Sequence, residues 1–304
     1  MQQFIPQILM QTHGLTKRYG EQLALDSVSL TLTQGDIYGL IGRNGAGKTT
    51  FFKCVMGLAR PTAGTVEIAG GDANLNAARR KMGFMINPSF FPYLDPYENL
   101  RFLCRVKGVR ERGEVGRLLN LVGLDGVHKP FRSFSLGMKH RLGIAGALLG
   151  SPSIVVLDEP VNGLDPQGII DMRMVIKDIH SQTGATFIIS SHILSELDLV
   201  ATRFGFIEQG VLLKEITHTE LHEHTKKSLL VEVDDVAKAR AALRTLGIED
   251  VSADGCQLAL NSHLDKANEI ARALINSGVE LYGLHRRETT LEEYFVRLVG
   301  GGDV

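Results

Sequence analysis

Apolar positions along the first two-thirds of the chain fall into two alternating rhythms. Residues 37–41 form a short apolar run that ends at Gly42, and residues 154–157 are Ile-Val-Val-Leu with no polar position. Runs of that length without alternation predict strands buried on both faces, as at the centre of a parallel sheet. Residues 186–190 predict another strand. Between and around these, 48–58, 97–106, 114–122, 141–149 and 168–182 carry apolar residues at helical spacing. Arg60-Pro61 closes the first of these helices, and Gly150-Ser151-Pro152 closes the fourth. Strand and helix in alternation predict an α/β domain with a mostly parallel sheet. Residues 27–33 and 65–68, the latter leading into Gly70-Gly71, predict an added antiparallel portion.

The pattern changes at 213–227, which is polar and carries His218, His222, His224 and Lys226-Lys227. No second ligand cluster is evident, so the segment predicts a solvated helix or connector rather than a metal site. A compact run follows, with strands at 229–233, Val251, 258–260 and 279–284 and helices at 236–246, 264–275 and 291–299. The order β-α-β-β-α-β fits a small ferredoxin-like α+β domain. It shows no catalytic constellation, and a regulatory, dimerising or docking role is expected. The chain therefore divides into a domain at 1–217 and an accessory domain at 218–304.

Composition narrows the class. The chain has 304 residues, 44% hydrophobic and 22% charged, which excludes a long disordered or fibrous chain. Thirty-three Lys and Arg against 34 Asp and Glu leave a formal charge of -1, so the basic excess of a nucleic-acid binder is missing. Cys54, Cys104 and Cys256 form no CxxC pair and suggest a reducing compartment and buried small side chains. The longest apolar stretch, 142–157, is broken by Ser151-Pro152-Ser153, and the first residues lack a basic start and long apolar core. The expected location is the cytoplasm.

Two motifs carry chemistry. Gly42-Arg43-Asn44-Gly45-Ala46-Gly47-Lys48-Thr49-Thr50 matches G-x-x-x-x-G-K-[ST] between a predicted strand and a predicted helix. Its glycines allow the loop to wrap a phosphate with N–H groups pointing inward, and the helix start adds positive dipole. Lys48 is placed to reach the β- and γ-phosphates, and the Thr49 hydroxyl to hold Mg²⁺. Residues 154–160 end in Asp158-Glu159-Pro160. The two carboxylates emerge at the C-terminal end of a buried strand, where open parallel sheets place ligands. Asp158 suits Mg²⁺ coordination, and Glu159 suits deprotonation of an attacking water.

With these motifs placed, residues 10 to about 215 resemble the ATP-binding subunit of ABC transporters. Phe134-Ser135-Leu136-Gly137-Met138-Lys139-His140-Arg141 is similar to the family signature. The resemblance implies that Ser135 and Gly137 meet the γ-phosphate bound by another subunit. Ser135 also reads locally as a helix cap. Tyr19 resembles the aromatic residue that stacks on adenine, and Asp165, in Gly163-Leu164-Asp165-Pro166, resembles the interface aspartate. His192 resembles the switch histidine that contacts the γ-phosphate. The resemblance further implies an ABC ATPase domain with a helical subdomain, ATP and Mg²⁺ as cofactors, and a homodimer that traps two nucleotides. It also implies a separate transmembrane permease and a place on the inner face of the cell membrane. Residues 82–88 depart from the family pattern. The loop is one residue short before Pro88, and Asn87 stands as the polar candidate, for ATP or Mg²⁺, where a glutamine is usual.

The Ser-Leu-Gly-Met-Lys signature, the 190–196 segment and the tail Leu291-Glu292-Glu293-Tyr294-Phe295 resemble the bacitracin-export and lantibiotic-immunity branch. That implies an ATPase powering export of a peptide antibiotic or other drug. Alternatives are a soluble ABC ATPase acting on DNA or ribosomes, or a nucleotide-dependent sensor. Phe90, Phe91 and Tyr93 in the loop 87–99 form either a permease-docking surface or the core of the helical subdomain.

Overall fold

A computed structural model describes residues 7–69, 78–224, 227–249, 251–260, 262–288 and 290–300. The expected turn at Gly70-Gly71 lies outside them. The chain divides into two compact units, Met1–His218 and Thr219–Val304.

The first unit holds two sheets. Strands β1 (Ile8–Tyr19), β2 (Gln22–Thr33) and β4 (Ala63–Ile68) form an antiparallel sheet in the order β2-β1-β4. Strands β3 (Ile37–Ile41), β5 (Met82–Met85), β6 (Ile154–Asp158), β7 (Thr186–Ser191), β8 (Arg203–Glu208) and β9 (Val211–Thr217) form the second, in the order β5-β6-β7-β3-β8-β9. All its pairs are parallel except β8–β9. Every residue of β3, β6 and β7 is buried, as their unbroken apolar runs require. Helix α1 (Lys48–Val55) belongs to one core with both sheets. Its fully buried Phe51 and Phe52 share that core with Leu25, Leu30, Val156 and Ile188.

Helices α2 (Pro96–Lys107) and α3 (Glu114–Leu121) precede α4 (Leu136–Leu148). A reciprocal capping box of Asp95 and Glu98 fixes the start of α2. Buried Asn99 ties the preceding loop down through bonds to Phe91 and to the Leu94 and Asp95 carbonyls. Helix α4 starts at Leu136, five residues before the expected run at 141, because the Ser135 hydroxyl caps it by accepting the Met138 N–H. Residues Leu142 to Leu148 of this helix are all buried. It packs so closely on β5 that a Cβ on Gly83 would collide with the Ala147 carbonyl. Helices α5 (Pro166–Thr183) and α6 (Leu194–Asp198) complete the unit's helices among the described residues.

Two further expectations are corrected. Helix α1 ends at Val55 rather than at 58, since Gly57 turns left-handed (φ 76) and the Leu58 N–H returns to the Lys53 carbonyl. The polar stretch from 213 contains the expected helix but opens with a strand. Its first part is edge strand β9, joined to β8 by Gln209-Gly210, both at positive φ, followed by α7 (His218–His224).

In the second unit, β10 (Lys227–Val233), β11 (Val251–Asp254), β12 (Gln257–Leu260) and β13 (Leu281–Glu288) form an antiparallel sheet in the order β11-β12-β10-β13. Helices α8 (Val236–Thr245) and α9 (Ala267–Asn276) share its core through Ala239, Leu243, Ile270 and Leu274. Helix α10 (Leu291–Val299) follows β13. Cys54 and Cys104 are buried, whereas Cys256 is exposed because it sits beside the β11–β12 turn.

Gly83→Ala should lower the unfolding free energy of the full chain by about 1–3 kcal/mol, since backbone must shift to admit the methyl. Gly116→Ala, in α3 with open space around the added Cβ, should be neutral or stabilising. Urea denaturation of the two variants measures the contrast.

Candidate active site

The cradle lies between β3 and α1. Gly45 (φ 85) and Gly47 (φ 110) let the loop 42–47 fold back on itself, and a Cβ on Gly47 would press into the Ala24 carbonyl. Lys48, 6% exposed, sends its Nζ to the Gly42 carbonyl at 2.6 Å and the Arg43 carbonyl at 3.2 Å. The same ammonium lies 3.1 Å from Glu159 Oε1.

Strand β6 delivers both predicted carboxylates to its C-terminal end. Thr49 Oγ1 donates to Asp158 Oδ2 at 2.7 Å, and Ser190 Oγ donates to Asp158 Oδ1 at 2.6 Å. The Ser190 hydroxyl also accepts the Glu159 N–H at 2.9 Å. His192 Nδ1 stands 2.8 Å from Glu159 Oε2. Glu159 itself is left-handed (φ 49), which costs a non-glycine residue of order 1–3 kcal/mol and is held only by such surroundings. Apart from the Lys48 contact, Oε1 is buried without an aligned donor. Glu159 lines a cleft of about 520 Å³ together with Tyr19, Gln22, Arg43, Lys48 and Gln209, among others. That size and mix of polar groups suit a small ligand. The predicted Asn44, Gly45, Ala46, Gly47, Thr49 and Thr50 also line this cleft.

Chemically, the arrangement offers an ammonium and a helix N-terminus for phosphate, paired hard oxygens for a divalent cation, and a carboxylate for a water proton. Thr49 Oγ1 and Asp158 Oδ2 lie side by side, and an oxygen pair of this kind fits Mg²⁺.

Ser135, Gly137 and Asp165 are brought together, but elsewhere. They line a second cleft of about 510 Å³ with Leu164, Arg141 and Asp171. Asp165 Oδ1 accepts the Gly168 N–H at 2.8 Å and so caps α5. Asn87 is exposed two residues beyond β5 and is not among the residues lining either cleft. The aromatic loop splits between its two readings. Phe90 packs against Phe131, whereas Phe91 and Tyr93 are exposed, Phe91 meeting the exposed Phe102 edge-on at 4.8 Å.

Three contributors escaped the sequence reading. Ser190 binds both Asp158 and the Glu159 backbone, a contact across the β6–β7 pair. Lys17 Nζ sits 4.6 Å over the Tyr19 ring while donating to the Arg60 carbonyl at 2.9 Å. His140 reaches the Pro160 carbonyl. For Lys17, the period-2 spacing to Tyr19 on one strand face was an available signal.

Comparison with known proteins supports this reading. A family model described as "ABC transporter" matches residues 25–162. A bacitracin transport ATP-binding protein, BcrA, from Bacillus licheniformis is 38% identical over 303 residues, covering 97% of this chain and 99% of that protein. A lantibiotic transport ATP-binding protein, SrtF, from Streptococcus pyogenes is 40% identical over 208 residues, covering 68% and 90%. Among solved structures, the dimeric bacterial ABC transporter cassette MJ0796 aligns with a TM-score of 0.61 at 25% identity, covering 69% of this chain and 99% of that one.

Lys17→Met should weaken binding of a purine nucleoside triphosphate about two- to fivefold, as expected for loss of an exposed cation–π contact that steadies Tyr19. Binding of inorganic tripolyphosphate should be unchanged. Calorimetric titration of both ligands tests this, and equal weakening of the two would remove Lys17 from the base-stacking end of the cleft.

Proposed function

Since this chain belongs to the ABC transporter ATP-binding family, whose members hydrolyse ATP to drive transport, we propose that it powers export of a peptide antibiotic or related drug. The observation that carries this is the joining of the Lys48, Asp158, Glu159 and His192 constellation to near full-length likeness with bacitracin transport proteins. A daunorubicin resistance relative from Streptomyces coeruleorubidus extends the likeness to small drugs.

ATP enters the first cleft with its adenine on Tyr19 and its phosphates on the 42–47 loop, which Gly42 and Ala46 shape and where Asn44, Gly45, Gly47 and Thr50 supply backbone and side-chain donors. The Lys48 ammonium exchanges the Gly42 and Arg43 carbonyls and the Glu159 carboxylate for β- and γ-phosphate oxygens. Thr49 and Asp158 hold Mg²⁺, which when bound neutralises charge on the phosphates. Glu159 Oε1, freed of Lys48, accepts the proton of the attacking water. His192 donates its Nδ1–H to Glu159 Oε2, which fixes the carboxylate. Ser135, Gly137 and Asp165 act on the nucleotide of a second copy, so that two clefts close on each ATP. Asn87 takes the place that the family resemblance gives to a glutamine.

The partners are a second copy of this chain and a separate transmembrane permease. Among the described residues no helix is long and apolar enough to cross a membrane. The exposed cluster of Phe91, Tyr93 and Phe102 is assigned to permease docking on the cytoplasmic face of the cell membrane. Residues 1–217 form the ATP-binding domain, and 218–304 form a ferredoxin-like accessory domain with a regulatory or docking role. No role on nucleic acid is assigned.

Glu159→Gln should reduce ATP turnover by about 10²- to 10⁴-fold, the usual worth of a general base, while MgATP binding persists. The tagged variant, incubated with MgATP and solubilised membranes of the host, should recover a multi-span membrane protein. Recovery of ribosomes or DNA alone would replace the transporter with a soluble ATPase.

A further inference from the structure

Helix α4 lines the second cleft and bonds the residue that follows Glu159 of the first. Its capping residue Ser135 lines the second cleft with Gly137 and Asp165. One and a half turns further on, His140 is 7% exposed, with its Nδ1 2.6 Å from the Pro160 carbonyl oxygen. A carbonyl only accepts, so Nδ1 carries the hydrogen. Burial lowers the pKa of this imidazole, which favours the neutral ring.

Pro160 is buried and directly follows Glu159. The left-handed Glu159 is therefore held on both sides. Ser190 accepts its N–H, and His140 grips the next carbonyl. Within the same loop, the Asn162 N–H returns to the Glu159 carbonyl, the Leu164 N–H returns to the Val161 carbonyl, and Gly163 turns at φ 76 before Asp165. The Pro160 carbonyl is thus the point where α4 is fastened to the turn that aims the carboxylate.

We propose that His140 is a positioning residue for ATP hydrolysis, holding the Glu159–Pro160 turn so that the aim of Glu159 follows the pose of the helix that begins at the second cleft. This rests on Glu159 acting as the base under the proposed function. His140 lines neither cleft, so its loss should appear in kcat and not in nucleotide affinity.

Steady-state ATPase kinetics and MgATP binding of the full chain test the proposal. His140→Ala should lower kcat about 10- to 100-fold, the scale on which small misplacement of a reacting group acts. KM and the MgATP dissociation constant should stay within about twofold. His140→Asn should recover most of kcat, because its amide nitrogen hangs from Cγ as the imidazole Nδ1 does. If His140→Ala does not fold, His140→Leu fills the site without the donor and makes the same comparison with His140→Asn. A kcat for the donor-less variant within twofold of wild type, alongside an inactive Glu159→Gln chain, overturns the inference and leaves the base assignment standing. Equal loss in the Asn variant also overturns it, assigning His140 to packing alone. Full turnover by Glu159→Gln overturns the base assignment itself.

Discussion

Two adjacent carboxylates at the dry end of β6 set the terms for the rest of the first unit. Taking an ionised carboxylate out of water costs several kcal/mol unless donors and opposite charge replace the lost solvent. Asp158 is 7% exposed and gains two hydroxyl donors, from α1 and from β7. Glu159 gains an ammonium from the start of α1 and an imidazole from the end of β7. None of these partners is near Asp158 in sequence. Only the order β6-β7-β3, with α1 springing from β3, brings them to one edge. The parallel sheet thus serves the charge pair as much as the hydrophobic core does.

The same pairing explains why the site is poised rather than assembled for chemistry. Lys48 spends its hydrogen bonds on two carbonyls of its own loop and its charge on Glu159. A triphosphate offers more negative charge and better-placed oxygens, so the ammonium has reason to transfer. Once it does, Glu159 Oε1 loses its cationic partner. One side chain, Lys48, therefore links the phosphate loop to the Glu159 carboxylate.

What was legible in the chain follows from the range of each interaction. Central strands show as unbroken apolar runs because both faces are covered, and residues 37–41 and 154–157 needed no partner to be recognised. The phosphate loop is a local feature, since glycine φ angles and a helix start decide it. Strands β1 and β9 were obscure. β1 is interrupted by register shifts against both neighbours, and β9 lies at the sheet edge with half its residues turned outward. Ser190, Lys17 and His140 were hidden for another reason. Each acts on a backbone or ring brought close by folding, over 31, 43 and 20 residues in the cases of Glu159, Arg60 and Pro160. No periodicity records such contacts.

Helix α4 shows how tight packing turns a scaffold into a mechanical link. Its glycines lie where side chains would meet Met85, Leu103 and Phe90, so the helix seats directly against β5 and the aromatic loop. Interiors at this density transmit displacement instead of absorbing it. The helix then has little freedom to tilt at one end without moving the other. Its N-terminal end lines the second cleft, and its middle holds the turn that follows Glu159. A body that is stiff and fastened at both places ties the Glu159–Pro160 turn to the wall of the second cleft. The shared dry carboxylates, which demanded the network in the first place, give that motion something specific to act on.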